Sequence, residues 1–367
     1  MSVQLEVQLI AVVVAVACAL PGVFLVLRGM AMMSDAISHT VLLGIVLAFF
    51  LVGDLDSPLL IVGAALMGVL TVTLVELLNQ TQLVKQDAAI GLVFPALFSV
   101  AVILISRFAR GVHLDVDAVL LGELAFAPFD RVQFWGLDVP IALAVMGGIL
   151  VLNGLFIGLF YKELKLATFD PALAAALGFS PVLLHYGLMT LVSVTAVGAF
   201  DAVGSVLVVA LMITPPATAY LLTNRLSHML GLSAVIGAGS ALAGYWLARL
   251  LDANIAGSMA TMTGAIFLVT FLLAPERGIV AILRRRQRQR WEFAQAALTI
   301  HLLHHEDSPQ ADEECRVDHL GEHLRWQRPF ADEVVRLARR HGLVTQDNGR
   351  LYLTDKGRQT VQDAIVR

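Results

Sequence analysis

The chain is poor in charge and in cysteine and has no nucleotide-binding loop. Only 15% of its 367 residues are charged against 58% hydrophobic ones, and the mean hydropathy is +0.79. That balance excludes an ordinary soluble protein and marks an integral membrane protein. Two cysteines, Cys18 in an apolar stretch and Cys315 near the far end, make no disulfide framework. No G-x-x-x-x-G-K-[ST] occurs, so the chain is not a subunit that cradles ATP phosphates. The first apolar stretch lacks a basic n-region and a small-residue cleavage site leading into a soluble domain, so it reads as a retained span, not a signal peptide.

What is present is one apolar segment after another. Nine can be marked, at 7–27, 36–52, 59–78, 90–105, 139–160, 186–200, 205–222, 232–250 and 259–273. Several reach the roughly 20 residues that cross a bilayer as a helix, and the shorter ones leave room for one re-entrant segment and a count of eight. The net charge of −4 says little, because charge is sorted by side. With nine spans, Arg28, Lys85, Lys162, Lys165, Arg225, Arg277, Arg284, Arg285, Arg286, Arg288 and Arg290 fall on one side. Arg107, Arg110, Arg131 and Arg249 fall on the other, eleven against four. The positive-inside rule makes the arginine-rich side cytoplasmic.

Past residue 278 the composition changes. The stretch 279–290, with its arginine run at 284–290, reads as a basic linker at the lipid headgroups, and 291–367 as a small soluble domain. Helical patterns cover 291–304, 317–326 and 329–341, the last with a proline in its first turn. Alternation on both sides of Asp347-Asn-Gly349 signals a hairpin over 343–353, and a last helix covers 357–366. Three helices, a hairpin and a closing helix describe a winged helix. The expected fold is therefore an all-α polytopic membrane protein of eight or nine transmembrane helices with a small cytoplasmic winged-helix α+β domain.

Candidate sites follow from ionisable groups in apolar surroundings, where they are costly and so point to function. In Arg28-Gly-Met-Ala-Met-Met-Ser-Asp-Ala-Ile-Ser-His39, Asp35 and His39 stand four apart, on one helical face. A carboxylate with an imidazole suits zinc, manganese or ferrous iron. The competing reading makes Asp35 a helix cap and His39 a satisfied interior histidine. Asp201, in Phe200-Asp-Ala-Val-Gly204, is either a second acid on a pathway or the cap of the helix starting near Gly204. Glu76 reads as a solvated carboxylate at a helix end.

Between two spans, Asp170-Pro171 starts a short alanine-rich helix that stops at Gly178. It is a partner-docking surface helix or a plain amphipathic connector. In the tail, Cys315, His319 and His323 recur every four residues, expected on one helical face, with Asp318 and Glu322 beside them and His301, His304 and His305 on the preceding helix. Six of the ten histidines lie in this tail. The set is either a cytoplasmic metal sensor or a solvated His-rich surface. From Trp291 to Arg367 ten basic and thirteen acidic residues leave a net of −3, a poor footprint for nucleic acid.

Four blocks, Arg28–His39, Gln86-Asp-Ala-Ala-Ile-Gly91, Phe169-Asp-Pro-Ala-Leu-Ala-Ala-Ala-Leu-Gly178 and the stretch from Phe200 to Ala219 through Thr214-Pro-Pro216, resemble the membrane permeases of ATP-driven manganese, zinc and iron importers. The resemblance covers residues 5–278. It implies a dimeric pore of two copies or of this chain with a paralogue, a separate ABC ATPase and an external metal-delivering protein. No resident cofactor is implied, since the divalent metal is cargo. By the same resemblance Asp35 and His39 are metal ligands, and Phe169, Asp170, Pro171, Ala174, Leu177 and Gly178 belong to the ATPase-coupling helix. His113, Asp115, Asp117 and Glu123 face the delivery protein or form a solvated acidic rim. The tail resembles the winged helix of iron-dependent repressors. Two other functions compete: a permease for a metal chelate such as a siderophore or cobalamin, and a membrane-tethered regulator.

Overall fold

In the computed structural model the protein divides into two compact units, Met1–Gly278 and Ile279–Arg367. The structure describes residues 2–53, 57, 59–108, 124–134, 137–309 and 311–366.

The first unit is helical. In chain order it holds α1 Val3–Leu27, α2 Met32–Val52, α3 Leu59–Gln80, α4 Gln86–Phe108, the strands β1 Arg131–Phe134 and β2 Leu137–Pro140, α5 Ile141–Leu159, α6 Tyr161–Phe169, α7 Pro171–Ala176, α8 Pro181–Val203, α9 Ser205–Leu222, α10 Leu226–Leu251 and α11 Ile255–Leu273. Among the described residues nine helices are long and apolar enough to cross a bilayer: α1–α5 and α8–α11. Several run beyond the apolar segments marked in the sequence, because polar residues at either end continue the backbone hydrogen bonding after hydropathy has fallen. The β1–β2 hairpin and α6 were not anticipated.

Ionic contacts sort the helix ends. At one end Glu6, early in α1, meets Arg131 at 3.0 Å, and Gln4 accepts from Arg249 at the end of α10 at 3.4 Å. At the other, Arg28 meets Thr168 of α6, and Arg277 donates to the Tyr220 carbonyl at 2.8 Å and to Asn224 at 2.5 Å. The start of α1 and the segment after α11 thus lie at opposite ends of the bundle, as an odd number of crossings requires.

α1 is the central helix, packing on α5, α8, α9 and α10, while α2 packs on α3 and α4. It carries Pro21 in its interior. A mid-helix proline costs about 3 kcal/mol or more because it removes the hydrogen bond to the carbonyl four residues earlier, here that of Ala17. Asn153 of α5, fully buried, supplies the missing donor at 2.8 Å and also pairs with Thr195 of α8. A polar side chain inside the bundle thereby satisfies both itself and a freed backbone group. Pro215 and Pro216 likewise lie inside α9, which continues through them. Pro216 leaves the Met212 carbonyl free, and that carbonyl leans against Gly22 of α1, where an added Cβ would come within 1.9 Å of it. Glycine is what permits that approach.

The second unit comprises α12 Ile279–His305, α13 Ala311–Glu314, α14 Leu320–His323, α15 Arg328–Arg340, β3 Val344–Asp347, β4 Arg350–Leu353 and α16 Asp355–Val366. The basic run 284–290 lies within α12, which is unbroken to His305. β3 and β4 pair antiparallel from Val344–Leu353 to Asp347–Arg350. Their turn, Asn348-Gly349, has both residues at positive φ, as a tight hairpin requires. Leu298, Leu302, Leu320, Val334, Ala338 and Leu351 build a separate core, closed at one edge by Trp291 stacked on Phe330 at 5.1 Å.

The helix expected over 317–326 does not form as such. The Leu351 amide donates to the Cys315 carbonyl at 2.9 Å, and Arg316 bridges to Arg350, so this stretch lies along the edge of β4 before the short α14 begins. Cys315, His319 and His323 therefore do not share a helical face.

Candidate functional site

Asp35 and His39 lie in the first two turns of α2. Their neighbours Met33, Ser34, Ala36, Ile37, Ser38 and Thr40 are all buried, whereas the two ionisable side chains are about one-third exposed, at 32% and 34%. Thr40 accepts a hydrogen bond from Thr71 of α3 at 2.8 Å, and Ser34 and Ser38 bond to α2's own carbonyls. The polar residues on the inner side of the helix are thus satisfied within the chain, and Asp35 and His39 form a stripe on the outer side. The imidazole stacks on Phe94 of α4 at 5.7 Å and meets Phe98 edge-on at 5.8 Å, which limits its movement.

Asp35 Oδ1 and His39 Nε2 are 3.5 Å apart. Two ligand atoms held about 2.0–2.2 Å from a tetrahedral divalent ion are themselves separated by about 3.4 Å. The pair is therefore already spaced to hold one ion. Asp35 lies inside α2, beyond its N-cap residue Ala31.

Further along the same connection Arg28 ties three elements together. Its Nε donates to Thr168 Oγ1 at 3.2 Å and its Nη1 to His185 Nδ1 of α8 at 3.3 Å. Thr168 stands at the end of α6, immediately before the short helix α7. There the Asp170 carboxylate accepts from the Leu173 amide at 2.9 Å, Pro171 occupies the first turn, and Gly178 takes φ +87° just past the end. These are the start and stop that the sequence signalled. Ala174 is buried, while Phe169, Leu173 and Leu177 are exposed by 61%, 46% and 61%. α7 therefore sits on the bundle through alanine and turns apolar side chains outward.

Asp201 lies in the last turn of α8, and Gly204 at φ +77° both ends α8 and caps α9 without a side-chain hydrogen bond. The N-cap position of α9 is held by Gly204. His113, Asp115, Asp117 and Glu123 fall outside the described residues. In the second unit the structure brings His319 and His323 together with Glu314, and His301 and His305 with the same Glu314. Cys315 belongs to neither group: it is buried, and desolvation pushes its thiol pKa up. Sequence reasoning missed Glu314, His185, Phe94 and Phe98. His185 is one of ten histidines and sits one residue before the apolar segment marked at 186–200; the structure extends that helix back to Pro181.

The ABC 3 transport family matches residues 2–274. The chain belongs to that family. It is 50% identical over 353 residues to the zinc transport system membrane protein TroD of Treponema pallidum, covering 96% of both chains, so this family member shares most of its second unit with that relative. It is 51% identical over 270 residues to the manganese transport system membrane protein MntD of Bacillus subtilis, covering 73% of this chain and 91% of the other. Among solved structures, PsaBC from Streptococcus pneumoniae in complex with Fab superposes with a TM-score of 0.63 at 31% identity, over 76% of this chain and 94% of that one.

Proposed function

We propose that this chain is the transmembrane subunit of an ATP-driven importer of divalent transition-metal ions, manganese, iron or zinc, and that the ion crosses by way of Asp35 and His39. The observation that carries the reading is the 3.5 Å gap between a carboxylate oxygen and an imidazole nitrogen, both part-exposed among the buried neighbours of the first turns of α2. Relatives named for zinc and manganese transport support it. Two ligands hold an ion too weakly to strip its water completely. Two such pairs facing each other across the axis of a dimeric pore, formed by a second copy or a paralogue, would complete four. Such a site binds firmly enough to accept a partly dehydrated ion and loosely enough to release it. Asp201 is a further acidic candidate along the same pathway.

On this reading ATP is hydrolysed in a separate ABC ATPase subunit. It docks on the apolar face of α7, through Phe169, Leu177 and the Asp170–Gly178 turn, and its closure is passed through Thr168 and Arg28 to the head of α2. The stretch bearing His113, Asp115, Asp117 and Glu123 would receive the ion from an extracytoplasmic metal-binding protein. By the positive-inside rule the protein sits in the cytoplasmic membrane with its second unit inside the cell. That unit is read as winged-helix-like, with nucleic acid an unsuitable partner for its net negative charge.

The test is metal uptake in vesicles holding the chain with its ATPase and delivery protein, for the parent, Asp35→Ala and His39→Ala, at matched assembly and ATPase rate. Uptake should fall by more than about tenfold in each variant, since even a hydrogen-bond partner of a metal ligand is worth about 10–100-fold. Unchanged uptake in both would remove the pair from the pathway.

A further inference from the structure

The second unit contains a cluster of ligand-type side chains that transport does not use. His301 and His305 stand one turn apart near the end of α12, with ring centroids 4.6 Å apart. Glu314 ends α13, His319 precedes α14 and His323 ends it. The His323 ring lies 5.8 Å from that of His301, 6.0 Å from that of His305 and 5.2 Å from that of His319. One ligand atom from each of His301, His305 and Glu314 falls within 4.8 Å of the others, and the same holds for Glu314, His319 and His323. The two triads share one carboxylate.

That carboxylate is the informative residue. Several acids of the unit pair with arginine: Glu306 with Arg358, Asp312 with Arg350 and Asp318 with Arg328. Glu314 is the buried acid among the described residues of the unit, and its ion-pair partner is a histidine. It is 8% exposed, and its Oε2 lies 3.0 Å from His323 Nε2 at an angle that makes no hydrogen bond, leaving a buried oxygen without a donor among the described residues. A buried carboxylate oxygen with no hydrogen-bond donor is costly unless a cation satisfies it.

The histidines are prepared as ligands. His301 Nε2 lies 3.1 Å from the Glu314 carbonyl oxygen, to which it donates, so the lone pair rests on Nδ1. A ring N–H given to a backbone carbonyl is how metal-binding histidines are commonly oriented. His323 is exposed at the rim, so an ion can enter and leave.

We propose that His301, His305, Glu314, His319 and His323 form a binding site for a divalent transition-metal ion of the zinc class, with Glu314 as the shared ligand. Four imidazoles and one carboxylate favour such an ion over magnesium or calcium, which take oxygen ligands. Binding would clamp residues 311–323 onto the end of α12. The site is independent of the transport reading, because it is made by another unit and is detected by bound metal alone.

The experiment is zinc titration of the full-length chain in detergent after chelator treatment, with bound metal counted by equilibrium dialysis and X-ray absorption at the zinc edge. Parallel titrations use Glu314→Gln, the pair His301→Ala with His323→Ala, and His39→Ala. The parent and His39→Ala should both hold zinc with several imidazoles in its shell. Glu314→Gln and the double variant should each weaken that binding by at least about tenfold. The proposal is overturned if neither variant weakens binding, or if the absorption spectrum of the parent shows no imidazole shell. Unfolding midpoints taken without zinc identify any variant that fails to fold. The spectrum of the unaltered chain decides the matter in that case too.

Discussion

At the scale of single residues, Arg28 shows what a planar cation can do that a point charge cannot. Its Nε and Nη1 address two acceptors on two helices at once, Thr168 and His185. Since His185 Nδ1 accepts, its proton lies on Nε2, and both that atom and Arg28 Nη2 are buried without hydrogen-bond partners among the described residues. Lysine carries the same charge but cannot form the fork. Arg28→Lys should therefore lose one of the two contacts, about 1.5–3 kcal/mol for a hydrogen bond to a charged group. The purified chain in detergent should show a clearly lower unfolding midpoint, and Thr168→Val a smaller drop, because the contact with His185 survives. Equal midpoints for Arg28→Lys and the parent would show that the fork holds nothing together.

At the scale of elements, α7 separates docking from packing. Leu177 is exposed while Ala174 is buried within the same turn and a half. Leu177→Asp should leave the unfolding midpoint of the chain unchanged and weaken capture of the purified ATPase subunit by at least about tenfold, the effect of losing about 1.4 kcal/mol. Ala174→Leu should do the reverse, lowering the midpoint through overpacking worth about 1–3 kcal/mol. If Leu177→Asp captured ATPase as well as the parent, α7 would be a connector only. This element was legible in the sequence because its signals are local: an Asp-Pro start, an alanine run and a glycine stop. The Asn348-Gly349 hairpin was legible for the same reason. The stretch 315–319 was not. Its four-residue spacing is helical, but the outcome was set by pairing with β4, a partner more than 30 residues away in sequence. Glu314 escaped notice on the same ground, since what distinguishes it is burial among histidines, which tertiary structure decides. Asp35 and His39 could be picked out because an acid and an imidazole four apart in an apolar span stand out in any fold, although the phenylalanines that hold the imidazole come from α4.

At the scale of the molecule, the chain divides at Gly278 into two compact units, and transport is expected to need only the first. The transmembrane unit has its own core, satisfies the Ala17 carbonyl beside its proline from within, and contains every residue assigned here to the ion pathway and to ATPase docking. The MntD relative is aligned over 91% of its length while covering only 73% of this chain, so a close counterpart exists with little or nothing beyond the first unit. A chain ending at Gly278 should accordingly insert, assemble with the ATPase and take up metal. Its rate at low metal should lie within about twofold of the full chain, the range of changes that disturb no packed contact. What it should lose is the zinc held by the histidine cluster, visible as a missing equivalent in dialysis. If the second unit instead restrains import when its site fills, the two chains will diverge as internal zinc is raised: the full chain will slow and the shortened chain will not. Parallel decline of both would assign the histidine site to binding without control. Failure of the shortened chain to insert would show that the arginines of the first turns of α12 are needed to hold the last span in place, and restoring them by ending the chain after Arg290 tells that effect apart from a need for the folded unit.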